Sequence, residues 1–148
     1  MSKGKKESVN RDDYWMAVAF MIAAGSHSNQ KNGCVIIGLD NSLLGTACDG
    51  HLKGNHQSQE YDHVIHAEMN ALFACHSWGG GTAYITCTPC YSCVVNLISA
   101  NIKRIIYFST EEIDPAALDA VKCEYGQIEK FKGNLNWMRD YINTLDIF

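Results

Sequence analysis

Apolar residues fall at two periods along this chain, and their alternation predicts an α/β architecture. Trp15, Val18, Met21 and Ile22 recur at helical spacing, and Asp12 and Asp13 stand where a helix N-terminus is capped, predicting a helix that runs to about Gly25. The polar stretch Ser26 to Asn32 reads as a loop. Cys34 to Leu39 and Leu43 to Cys48 read as two strands of a hairpin turning at Asp40-Asn41-Ser42. A long polar loop, Asp49 to Asp62, follows. A helix is expected from His66 to about Cys75, a strand over Ala83 to Thr86, a helix over Cys90 to Ala100 and a strand over Lys103 to Phe108. Asp114-Pro115 opens a further helix to about Glu124, then a strand spans Gln127 to Phe131 and a last helix Leu135 to Leu145, carrying Trp137, Tyr141 and Leu145. This order implies a three-layer α-β-α sandwich around a five-stranded mixed sheet. The expected organisation is one domain over residues 1–148, with 1–10 a mobile tail.

Composition narrows the picture. Hydrophobic content of 47% and two prolines fit a globular chain. No apolar run approaches the roughly 18 to 20 residues that cross a bilayer, and the basic start Met1-Ser-Lys-Gly-Lys-Lys lacks a signal peptide's apolar core. No membrane partner and a cytoplasmic location are therefore expected. The net charge of −4, with Lys3, Lys5 and Lys6 as the only basic cluster, favours a small-molecule substrate over long nucleic acid. Seven cysteines cannot pair completely within one chain. In a reducing compartment a Cys-x-x-Cys points to metal or redox chemistry rather than a structural bridge. Cys34, Cys48, Cys75 and Cys87 lie in apolar surroundings and read as buried thiols.

The chemistry concentrates in His66-Ala67-Glu68 and Pro89-Cys90-Tyr91-Ser92-Cys93. Cysteines three apart at a helix start can aim both sulfurs at one ion, and the helix N-terminus favours their thiolates. His66 adds a third borderline-soft ligand, a set suited to Zn2+. Three protein ligands leave the fourth tetrahedral position for water, as in a catalytic site. Glu68 then stands ready to take a proton from that water and hand it to a leaving nitrogen, and the backbone N–H of Ala67 or its neighbours to hold a carbonyl of the base. A purely structural zinc site would need a fourth ligand (Cys87, Cys48 or His63) and leaves the glutamate unexplained. One catalytic ion is expected. Cys48, His51 and His56 lack the regular spacing of a second site. His-x-Glu with Pro-Cys-x-x-Cys is the known signature of zinc nucleobase deaminases.

Over roughly residues 11 to 132 the chain resembles the deoxycytidylate (dCMP) deaminase branch of the cytidine deaminase-like superfamily. His66-Ala-Glu-Met-Asn-Ala-Leu72 resembles that branch's histidine-ligand helix, and Tyr84-Ile-Thr-Cys-Thr-Pro-Cys-Tyr-Ser-Cys93 its cysteine helix with the preceding strand. Ala100-Asn-Ile-Lys-Arg-Ile-Ile-Tyr107 resembles the next strand, and Tyr14 to Phe20 and Lys31 to Ile37 the first helix and strand. The resemblance implies zinc-dependent hydrolysis of dCMP to dUMP and ammonia, and assembly into a homo-oligomer. It also exposes departures. The family's Gly-Tyr-Asn-Gly-x-Pro-x-Gly loop is replaced by Ala47-Cys-Asp-Gly-His-Leu-Lys-Gly54, which puts Asp49 where an asparagine faces the sugar and phosphate. Gly25 or Ser26 stands where many relatives carry arginine, leaving Lys31, Lys53, His51 and His56 as candidate phosphate partners. Tyr84, Tyr91, Trp78 and Phe108 are the aromatic residues from which a base-packing ring could come. Other substrates stay open on these grounds: guanine, methylated or hydroxymethylated dCMP, dCTP, a nucleoside, tRNA adenosine. A non-catalytic nucleotide-binding subunit is the reading from another class, and the intact Glu68 argues against it.

Overall fold

Five short runs form the main sheet, and the three central ones are almost wholly buried. In the computed structural model, which describes residues 8–51, 64–77 and 79–147, they pair in the order β2-β1-β5-β6-β7. These strands are β1 (Gly33–Ile37), β2 (Leu43–Cys48), β5 (Thr82–Ile85), β6 (Arg104–Tyr107) and β7 (Gln127–Lys130). β1 lies antiparallel to β2 and β5, whereas β5–β6 and β6–β7 are parallel, so the sheet is mixed as expected. A two-stranded ribbon of β3 (Gly50–His51) and β4 (Val64–Ile65) closes the start of the stretch read as a loop. The rest of that stretch, with Lys53 and His56, lies outside the described residues, as does most of the N-terminal tail.

The strand period of two sorts side chains into two cores. Cys34, Ile36, Ala83, Ile85, Ile105 and Tyr107 point toward α2 (Ala67–Ala74), α3 (Tyr91–Ser99) and α4 (Pro115–Cys123). Val35, Ile37, Tyr84 and Ile106 point the other way, toward α1 (Arg11–Ala23), with Leu135 beside α5 (Asn136–Asn143). Every residue of β1 is buried because both faces are covered.

The structure corrects three local readings. α1 is capped by Asn10, whose side-chain oxygen accepts the N–H groups of Asp12 and Asp13, so Asp12 is free for another partner. Its buried stripe is Met16, Ala19 and Ala23, while Met21 is 65% exposed. Small side chains let the helix lie closer to the sheet than the bulkier Trp15–Met21 stripe would. α5 ends at Asn143, short of Leu145; within it Trp137 stacks on Tyr14 with ring centroids 6.3 Å apart, and Tyr141 is exposed. Among the cysteines, Cys34 is fully buried, whereas Cys48, Cys75 and Cys87 are only half-buried. Gly45 shows how tightly α2 sits, since a Cβ there would meet the Ala71 carbonyl at 2.5 Å.

Parallel strands β5 and β6 end on the same edge where β2 ends and β1 begins. Asn32, Asp49, Thr86 and Phe108 gather there, at the carboxyl edge where open α/β sheets hold their ligands.

Candidate active site

Two helix starts converge above that edge. His66 and Cys90 are the N-cap residues of α2 and α3, and neither caps its helix with its side chain. Their side chains are turned to each other instead. His66 Nδ1 lies 3.3 Å from Cys93 Sγ and 3.6 Å from Cys90 Sγ, and the three ligand atoms fall within 4.8 Å of one another. With zinc–sulfur and zinc–nitrogen bonds of about 2.3 and 2.0–2.1 Å, a tetrahedral N···S edge is about 3.6 Å. The cluster therefore fits one zinc ion, and it is the only such cluster of His, Cys, Asp or Glu among the described residues.

The thiols do not share one environment. Burial raises the Cys90 thiol, but the Ser92 hydroxyl at 3.3 Å and the Cys93 N–H outweigh it and bring it down to about 7. Burial pushes the Cys93 thiol up, with the Glu68 charge adding to the rise. The expectation that the helix start lowers both thiols thus holds for Cys90 alone; at Cys93 only a bound cation would offset burial. Cys87, beside them, is pushed up to about 12, chiefly by burial.

A cavity of about 730 Å³ opens beside the cluster and is lined by Asp49, His66, Glu68, Thr86, Cys90 and Phe108 among others. Glu68 is 2% exposed, and burial pushes its carboxyl up against the opposing pull of its own backbone N–H and of His66. Asp49 is 6% exposed; its Oδ1 accepts the Ala67 N–H at 2.7 Å and its Oδ2 accepts the Asn32 amide at 2.9 Å. The Ala67 N–H, assigned from sequence to a base carbonyl, is thus already engaged. Lys31 is exposed, donates from Nζ to the Ser26 carbonyl at 2.5 Å, and does not line the cavity.

Of the aromatic candidates, Phe108 is the one at the cavity, 43% exposed and edge-on to Phe20 with centroids 4.9 Å apart. Tyr84 turns away to donate its hydroxyl to Asp12 at 2.7 Å, Tyr91 is exposed outside the cavity, and Trp78 lies outside the described residues. Asn32 and Phe20 escaped the sequence reading. Asn32 ends a polar run directly before a fully buried strand, and that position was the available signal.

Residues 9–109 match the family model of the cytidine and deoxycytidylate deaminase zinc-binding region. The chain belongs to this deaminase family. Within it, the deoxycytidylate deaminase of Homo sapiens is 29% identical over 128 residues, covering 76% of this chain and 72% of the human protein. The deoxycytidylate deaminase of Enterobacteria phage T2 is 28% identical over 137 residues, 87% of this chain and 71% of the phage protein. The fold matches that of the cyanophage S-TIM5 dCMP deaminase, solved with dCMP and dUMP, at a TM-score of 0.68 and 21% identity over 84% of this chain and 100% of that one. Family membership and the His66–Cys90–Cys93 cluster make this deaminase a zinc-dependent hydrolase.

Proposed function

We propose that this deaminase converts dCMP to dUMP and ammonia, with His66, Cys90 and Cys93 holding zinc and Glu68 moving the protons. The observation that carries the reading is the buried Glu68 carboxyl lining the same cavity as the metal-ligand cluster. Zinc in that cluster supplies the Lewis acidity that lets water attack near neutral pH. Glu68 accepts a proton from the attacking water as its oxygen bonds to C4 of the base and the C4=N3 double bond opens, and it passes that proton to N3. It then carries the remaining hydroxyl proton to the amine, so that C4=O forms as the bond from C4 to the amine breaks and ammonia leaves. Burial favours the protonated state that Glu68 needs midway through this cycle. Phe108 offers an exposed ring against which the flat base can pack.

Relatives named deoxycytidylate deaminase support dCMP as the substrate. One feature favours a second reading, an unphosphorylated or base-modified cytosine compound. The described residues lining the cavity include Asp49, Glu68 and Glu111 but no lysine or arginine. Ammonia release by the zinc-loaded protein decides between them, measured against dCMP, dCTP, 5-methyl- and 5-hydroxymethyl-dCMP, deoxycytidine, cytosine, guanine and adenosine. Preference for dCMP is the expected result, and faster turnover of deoxycytidine moves the assignment to the second reading.

Lesser parts of the proposal follow from chemistry. None of the seven thiols is paired, which suits the reducing cytoplasm. Among the described residues no helix is long and apolar enough to cross a membrane. The whole chain is taken as one domain, and a homo-oligomer is consistent with exposed Phe73, Leu43 and Tyr125.

A further inference from the structure

We infer that Asp49 is a positioning residue, whose carboxylate pins the first turn of α2 and so sets His66 and Glu68 in register; the inference rests on the deaminase reading of the site. α2 has eight residues, too few to be stable alone, so its start must be fixed from outside. Its own N-cap cannot do this, because the His66 ring is turned to the thiols and makes no capping bond. Asp49 supplies the missing acceptor from the end of β2, taking the Ala67 N–H at 2.7 Å. A negative charge there also suits the positive end of the helix. Ala67 is the residue between the metal ligand and the glutamate. Fixing its backbone therefore fixes both neighbours.

Asp49 is itself held on every side. Its N–H donates to the Asn32 carbonyl at 3.0 Å, and its carbonyl accepts the Ser26 hydroxyl at 3.0 Å. Its second carboxylate oxygen takes the Asn32 amide at 2.9 Å. A carboxylate only accepts, so the Asn32 NH2 must face it, and that choice orients the Asn32 amide at the cavity wall. One turn further along α2, the Asn70 amide donates to the Cys48 carbonyl at 3.1 Å and is shared with that of Ile65 at 3.4 Å. The helix is thus latched to the end of β2 on both sides of Glu68. An asparagine at position 49 could keep the Ala67 bond through its carbonyl, but its NH2 would confront that of Asn32 until one amide turned over.

The test uses the full chain and reads zinc affinity by competition with a chromophoric chelator, separately from kcat and KM on dCMP. Asp49→Ala should weaken zinc binding about tenfold or more and lower kcat about 10- to 100-fold, with KM little changed. Asp49→Asn, which keeps the Ala67 acceptor, should hold zinc affinity within about threefold of wild type, since loss of a supporting contact costs at least about tenfold. An Asp49→Ala chain that binds zinc as tightly as wild type overturns the inference. So does an Asp49→Asn chain that loses zinc affinity about tenfold or more, because the acceptor on the Ala67 N–H would then not be what holds the site. This second variant keeps the test decisive even if Asp49→Ala does not fold. The zinc readout involves no substrate. A wild type silent on dCMP beside an Asp49→Ala chain that loses zinc would therefore sink the proposed substrate and leave the positioning role standing.

Discussion

Asp12 and Glu68 sit on opposite sides of one sheet, and the fold treats their carboxyls in opposite ways. Asp12 receives both guanidinium nitrogens of Arg104 at 2.7 Å and the Tyr84 hydroxyl at 2.7 Å, and Arg104 also pairs with Glu129 at 2.9 Å. The Arg104 hydrogen bonds hold the Asp12 carboxyl below the usual carboxylate range against the opposing effect of burial. Glu68 has no lysine or arginine partner among the described residues, and burial drives it the other way. A carboxylate clamped by a bidentate guanidinium is a fastener: both of its oxygens are engaged, and protonating it breaks the clamp. A buried carboxyl without such a partner is pushed above the usual carboxylate range, toward the protonated form that proton transfer passes through. The difference between structure and chemistry therefore lies in the partner, since the residue types are nearly the same.

Removing the titratable oxygen tests that division where the effect is largest. Glu68→Gln should lower kcat about 10²- to 10⁴-fold while zinc stoichiometry, measured by metal analysis, stays at the wild-type value. Asp12→Ala should leave kcat per folded molecule unchanged. Near-wild-type turnover by Glu68→Gln would remove Glu68 from the proton path, and a large kcat loss in Asp12→Ala would erase the contrast.

Stability should separate the two in the reverse sense. Asp12 and Arg104 are each about a third exposed, with side-chain exposures of 31% and 32%, so water weakens their attraction. After that discount, Asp12→Ala should cost about 1–2 kcal/mol, read from the urea midpoint, and part of it is the Tyr84 hydroxyl left without its acceptor. The two pH dependences have opposite signs. The Asp12 value is lowered on folding, so its stabilisation is present above the unfolded value near 3.8 and lost as pH falls through the folded one. The Glu68 value is raised, so stability it lends in the protonated state is lost as pH rises from the unfolded value near 4.5 through the folded one. In metal-free protein, Glu68→Gln should therefore gain on wild type as pH rises from 4 toward 7. Asp12→Asn should lose most at neutral pH and least in acid. Parallel pH profiles for the two variants would show that the carboxyls share one environment.

What the sequence disclosed divides along a similar line. The zinc ligands and Glu68 lie within two short motifs, and local spacing alone brings them to two helix starts. The central strands were legible because buried apolar runs such as Cys34 to Ile37 have few alternatives. The role of Asp12 was hidden, since its partners Tyr84 and Arg104 stand 72 and 92 residues away. Asp49 was singled out for its mismatch with the family loop, yet its hold on Ala67 depends on how β2 meets α2. Part of the buried face of α1 left little trace because Ala19 and Ala23, which carry little hydrophobic signal, line it beside Met16, whereas Trp15, Val18 and Ile22 pack against that core as their spacing predicts. Sequence pattern reports chemistry that is local and bulk that is large; long-range pairing and close packing of small residues leave almost no trace in it.

The two cysteine ligands offer the finest version of the comparison, because one local motif gives them unequal surroundings. In metal-free protein Cys90 is exposed and its thiol is brought down to about 7, whereas Cys93 is buried and pushed up, as is Cys87 at about 12. Thiolate, rather than thiol, attacks an alkylating reagent. Iodoacetamide should then modify Cys90 first, at a rate that climbs through pH 7 and levels off above it, with Cys93 and Cys87 far behind. Zinc should suppress modification of Cys90, while exposed Cys123, remote from the cluster in sequence, reacts equally with or without the metal and serves as the internal control. Peptide mass spectrometry over a time course reads all four sites at once. Equal rates at Cys90 and Cys93 would mean that burial does not distinguish them. Zinc that fails to shield Cys90 would take it out of the metal site, leaving His66 and Cys93 too few to hold a catalytic ion.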